Sequence, residues 1–202
     1  MEPLKRAASG SSAVRAWRAC ALALACAAAN VAAQPHNSAE VLRREASELE
    51  LKAVHLLKFG DFVQWPASAF GNGDAPLIIT VAGADALATV LETLAQQRRV
   101  DGRAVQVRRL RRGDALAGAH ILFVAAGELE RLAAAQESLR AAAVLTVTDG
   151  SQPSQPAGIV NFVVRDNRLR FEIDAEAAEA AHLRISSKVL ALAVSVKGAR
   201  QR

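Results

Sequence analysis

The side chains of this 202-residue chain that could do chemistry are few and scattered. His36, His55, His120 and His182 lie so far apart that no two share a local metal-ligand spacing. His36 falls in an N-terminal tail. His55 falls on an aromatic stripe, where a packed or hydrogen-bonded imidazole is the default over a ligand role. The chain has no Gly-x-Ser-x-Gly elbow, no phosphate-cradling glycine loop and no His-Glu-x-x-His. Asp149 and Ser151 have no evident base beside them. Val81-Ala-Gly-Ala-Asp85 has the form of a strand-to-helix turn that could hold an anion, but its single glycine and the charge of Asp85 favour a structural turn. The sequence therefore predicts no catalytic residues, no cofactor and no metal, and a protein that works by binding rather than as an enzyme.

Two groups of residues are suited to binding. Seven arginines fall between Arg98 and Arg112, with Asp101 the only acid among them. Arg98 and Arg99 would sit at a helix C-terminus, where cations are favoured. Arg108, Arg109, Arg111 and Arg112 would either keep an edge strand soluble and unpaired or dock an acidic partner or anionic lipid headgroups. The second group is His55, Phe59, Phe62 and Trp65. Trp65, beside Pro66, either pins a helix end onto the sheet or serves as an exposed recognition anchor. These eight residues are the candidate partner-binding set.

The elements that must position them begin after an export leader. Lys5, Arg6, Arg15 and Arg18 precede an uncharged run from Ala19 to Ala29, and small residues follow at Val31 and Ala33. Cleavage after Ala33 would leave Gln34 as the first residue. The run is too short to favour a retained anchor, so residues 1–33 are expected to be a signal peptide, 34–202 a single exported domain, and the location periplasmic. Both cysteines, Cys20 and Cys26, leave with the leader, so no disulfide can form. The formal charge falls from +5 to +2, with 21 basic side chains against 19 acidic. Export also excludes nucleic acid as a partner.

Asn37 and Glu40 form a capping box for a helix predicted to run to about Gln64 and to be ended by Trp65-Pro66. Leu42, Ala46, Leu49, Ala53, Leu56 and Val63 make one apolar stripe. His55, Phe59 and Phe62 make another, roughly opposite, which predicts a second neighbour and suggests a homodimer. Strands are predicted at Leu77–Ala82, Arg103–Leu110, His120–Ala125 and Val144–Val147, with helices from Asp85 and over Glu128–Arg140. Ile159–Val164 and Arg168–Ile173 flank Asp166-Asn167 as an antiparallel hairpin. Asp174 caps a short helix running to about His182, and Ser186 or Ser187 caps a last one. The fold class is α/β: a single-domain sandwich with a mixed, partly parallel sheet and a C-terminal hairpin plus helix.

Phe62-Val-Gln-Trp-Pro66, His120-Ile-Leu-Phe123, Arg170-Phe-Glu-Ile173 and Ile185-Ser-Ser-Lys-Val-Leu190 together resemble the YfiR family, also known as a domain of unknown function of the 4154 type. Many relatives have a cysteine where this chain has Ala119, and a glycine pair where it has Ala157-Gly158. Control through disulfides, attractive for parts of the family, therefore cannot operate here. The resemblance implies a periplasmic, non-integral regulator that binds the sensory domain of an inner-membrane diguanylate cyclase and restrains it, lowering cyclic di-GMP and biofilm formation. An outer-membrane lipoprotein is a further candidate partner. The rival reading from the residues is a periplasmic small-molecule binding protein with a cleft near Gly83 and Asp149-Gly150.

Overall fold

The computed structural model describes residues 35–71, 74–111, 113–114, 118–150 and 158–198. The predicted leader with its expected Ala33/Gln34 junction, Arg112 and the Ser151–Pro156 segment lie outside the described residues. The chain divides into residues 1–44 and 45–202. In the first unit the described stretch is helical, and Glu40 reaches Arg43 and Arg44 at 3.5 and 3.4 Å.

Helix α1 covers Pro35–Phe62. It is already formed at Pro35, a residue tolerated in a first turn because its missing N–H has no partner to lose there. Asn37 therefore lies inside the helix and not at the position before it. At the other end the helix stops at Phe62, short of Gln64, and Val63–Gln64 forms a short strand, β1. A 3-10 turn, Ala67–Phe70, follows.

The second unit is built on an eight-stranded mixed sheet. Strand β2 is Leu77–Ala82, β3 Arg99–Val100, β4 Arg103–Leu110, β5 Ile121–Val124, β6 Leu145–Asp149, β7 Val160–Arg165, β8 Arg168–Asp174 and β10 Ser195–Lys197, in the spatial order β10-β8-β7-β6-β5-β2-β4-β3. Strands β4, β2, β5, β6 and β7 run parallel, while β7–β8 and β3–β4 are antiparallel hairpins. Helices cover both faces, so β5 is buried along its whole length. On one face Ile79, Phe123, Val147 and Phe162 share a core with Ala53, Leu56 and Phe59 of α1 and with Leu87 and Leu91 of α2, Asp85–Ala95. On the other, Leu122 and Val124 pack against Leu129, Leu132 and Leu139 of α3, Leu129–Ala141. The α/β sandwich with a mixed sheet is thus the observed architecture.

The hairpin turn is where the residues demand it. Asp166 and Asn167 both adopt positive φ, 51° and 58°, the geometry a two-residue turn needs to match strand twist. Asp174 accepts the Ala177 N–H at 2.9 Å and starts α4, Ala175–Ala180. Burial alone would raise its carboxyl pKa, but the Ala177 N–H and Lys197 outweigh that and hold it below the usual carboxylate value. Ser186 accepts the Lys188 N–H and starts α5, Ser187–Leu190. Gly158 enters β7 against the strand before it: a Cβ there would stand 2.7 Å from the Thr146 carbonyl oxygen.

Further expectations need correction. The two stripes of α1 are not two faces: Phe59 is buried beside Leu56, and half-buried His55 and Phe62 lie at the margin of the same broad surface, so the second neighbour that suggested a homodimer is, for Phe59, the protein's own sheet. Arg98 and Arg99 are not in a helix end, since α2 stops at Ala95 and Arg99 belongs to β3, turned back through Asp101-Gly102. Helix α4 ends at Ala180, two residues before His182, which has a left-handed φ of 56°. Strand β10, parallel to β8, was not expected at all.

Candidate docking surface

Two of the four segments that carry the family resemblance, far apart in the chain, meet as strand partners. Val63 pairs with Ile185 and Gln64 with Arg184, where Arg184–Ile185 forms β9, and the Ser186 N–H donates to the Phe62 carbonyl at 2.9 Å. This two-stranded ribbon fixes the chain as it leaves α1. It turns Val63 into the core and leaves Gln64 and Arg184 exposed.

Trp65 comes next, half-buried. Its indole N–H donates to the His120 carbonyl oxygen at 3.3 Å, which anchors the ring to β5. His120 is itself a junction. Its Nδ1 accepts the Ile78 N–H at 3.0 Å, so that nitrogen carries no proton, and its Nε2–H donates to the Ala69 carbonyl at 3.1 Å. The ring stacks on Phe70 with centroids 4.3 Å apart, and the Arg103 guanidinium lies 4.1 Å above the Phe70 ring. Burial lowers the His120 pKa, and the positive charges of Arg103 and Arg108 lower it further, while the bond to Ala69 opposes them. His120 is a neutral tie between β2, β5 and the 3-10 turn.

Several hollows border this ribbon. One of about 490 Å³ is lined by Asp61, Trp65, Phe70, Asp101 and Arg103 among others. A second of about 490 Å³ is lined by Gln64, Trp65, Pro66, Glu179, His182 and Arg184, and a third of about 260 Å³ by Asp61, Phe62, Gln64, Arg184 and Ser186. Each is open to solvent and mixes apolar with charged groups, a composition suited to another protein's surface.

Of the predicted set, the structure brings Phe62 and Trp65 to this surface. Phe59 is only 2% exposed, in an aromatic cluster with Phe162 and Phe171. His55 edges that cluster and its Nδ1–H donates to the Leu51 carbonyl at 2.7 Å. Arg108, Arg109 and Arg111 lie along β4 and just beyond it, exposed. Arg109 is held by Glu92 at 2.8 Å, and their hydrogen bond raises the arginine's pKa and lowers the glutamate's. The sequence reading missed Gln64, Phe70, Arg103 and Arg184 as site residues. Gln64 sits within the Phe-Val-Gln-Trp-Pro run and Arg184 directly before Ile185-Ser-Ser, so adjacency to the shared motifs was the available signal.

At the strand ends near Gly83 and Asp149, where the small-ligand reading looks, the protein's own side chains stand close. A Cβ at Gly83 would stand 2.9 Å from the Glu128 side chain. Asp149 is bound by Lys52, buried, at 2.8 Å, with Glu48 at 2.6 Å on the other side of the ammonium. Burial would lower the lysine's pKa, but these two carboxylates outweigh it and raise the net value. Among the described residues no three His, Cys, Asp or Glu side chains converge as a metal site. No helix among them is long and apolar enough to cross a membrane.

No curated protein matches the chain. The family model described as YfiR/HmsC-like matches residues 49–194, from the middle of α1 to the approach to β10, and includes every segment of the docking surface. The chain belongs to the YfiR/HmsC-like family.

Proposed function

We propose that this protein, exported with cleavage after Ala33, binds the periplasmic sensory domain of an inner-membrane diguanylate cyclase and holds it inactive, lowering cyclic di-GMP and biofilm formation. Family membership over residues 49–194 carries the reading. The open, mixed-polarity hollows around Gln64, Trp65 and Arg184 support contact with a protein rather than capture of a small molecule. Regulation of this kind requires unequal affinity: the protein must bind the inactive cyclase more tightly than the active one, because equal affinity for both would shift no population.

The test is deletion of the gene in its own host, with cyclic di-GMP and surface attachment measured beside crosslinking of the mature protein in the cell envelope. A rise in cyclic di-GMP, reversed by the mature protein and accompanied by a crosslinked cyclase, is the expected result. Unchanged cyclic di-GMP with no cyclase recovered removes the proposal.

A further inference from the structure

The sheet ends differently on its two sides. One edge is β10, three residues long, whose Lys197 is tied to Asp174 at 3.0 Å. The other is β4. Its partner β3 covers only Arg103 and Ala104, while Val105–Leu110 pairs with β2 on one side alone. Among the described residues β2 is the only strand that pairs with that stretch, so its outward N–H and C=O groups have no strand partner there. Such an edge is a template for another strand.

Arginines decide which strand. Arg109 is neutralised by Glu92, with Asp85 at 4.0 Å. Arg108 and Arg111 are exposed; the Asp114 carboxylate accepts the Arg111 backbone N–H at 2.9 Å, and neither arginine side chain forms an ion pair among the described residues. Two copies of this edge brought together would set arginines against arginines, so self-pairing is opposed. An extended segment bearing carboxylates meets the opposite situation, with main-chain bonds supplying affinity and charge supplying selectivity. Lipid headgroups would satisfy the charge but offer no main-chain pattern to the exposed amides.

We propose that Val105–Leu110 is a strand-addition site for an extended, acidic segment of a protein partner. The inference rests on the reading that the chain works by binding a protein, and it names the chemistry of the bound segment.

Hydrogen exchange on the full mature protein tests it, with a capped peptide of alternating glutamate and valine as the probe and its lysine–valine counterpart as the control. The acidic peptide is expected to slow exchange at alternate amides within Val105–Leu110 and to leave β10 unchanged, with the lysine peptide inactive. Arg108→Glu combined with Arg111→Glu should weaken binding at least about tenfold, and the milder Arg108→Gln with Arg111→Gln, which spares folding, should fall between. Binding of the acidic peptide without protection of these amides, binding only to anionic vesicles, or no binding at about 1 mM peptide overturns strand addition. If the Arg108→Glu, Arg111→Glu protein still lowers cyclic di-GMP in cells, strand addition to the cyclase is overturned while the regulatory role stands. If the wild-type chain fails in cells but the peptide protects the edge, the regulatory role falls and the edge site stands.

Discussion

The indole N–H of Trp65 donates to the His120 carbonyl oxygen, while the His120 ring stacks on Phe70 and ties Ile78 to Ala69 through its two nitrogens. The end of α1, the first strand of the parallel sheet and the 3-10 turn therefore share one small polar junction. Trp17 and Trp65 are the two tryptophans of the chain, so in protein prepared from residue 34 onward the fluorescence of Trp65 reports this junction directly.

His120 should make stability depend on mild acid. Its folded pKa is depressed, so between that value and the ordinary 6.5 the unfolded chain binds a proton that the folded chain does not. Stability from this group is full above about pH 6.5 and is lost as pH falls through the folded value, with a slope of at most about 1.4 kcal/mol per pH unit. Melting followed by Trp65 fluorescence from about pH 8 to pH 5 should show the fall, and His120→Asn should flatten it at some cost in stability at neutral pH.

Trp65→Phe keeps most of the packing but loses the donor to His120, and should cost about 1 kcal/mol. Trp65→Ala also opens space beside Phe70 and should cost about 2–3 kcal/mol. Urea unfolding followed by circular dichroism would measure both, and equal costs would show that the hydrogen bond matters more than the ring.

Lys52 joins α1 to the end of β6 through Asp149. Lys52→Met keeps the aliphatic stem but leaves the carboxylates without their cation, and should cost about 2 kcal/mol, less than a fully buried pair because Asp149 and Glu48 retain some water. The raised lysine pKa adds a second signature. Stability from it is present below the ordinary 10.5 and is lost as pH rises through the raised value. Alkaline unfolding should therefore come with a steeper fall in wild type than in Lys52→Met.

At the β7–β8 turn, Asn167→Gly relieves a left-handed side chain and should stabilise by about 0.5 kcal/mol, whereas Asn167→Val should destabilise by about 1–2 kcal/mol. Gly158→Ala should cost more than either, because the added carbon meets the fixed Thr146 carbonyl rather than a side chain that can move. Thermal melts of the three variants rank them.

What the sequence alone determined is what short-range chemistry specifies. Asp166-Asn167 forms its turn, Asp174 caps its helix, Ser186 is the one of the two predicted serines that caps the last helix, and Leu77–Ala82 and Arg103–Leu110 are strands over the ranges predicted, because each feature depends on residues a few places apart. The candidate site was legible in part: Phe62 and Trp65 could be picked out by type and motif. That Phe59 is core, that Gln64 meets Arg184, that His120 holds Trp65, and that β4 keeps an open edge were decided by tertiary structure. Strands as short as Val63–Gln64 or Ser195–Lys197 carry no periodicity of their own, and exist because the folded chain brings distant backbone groups within hydrogen-bonding reach.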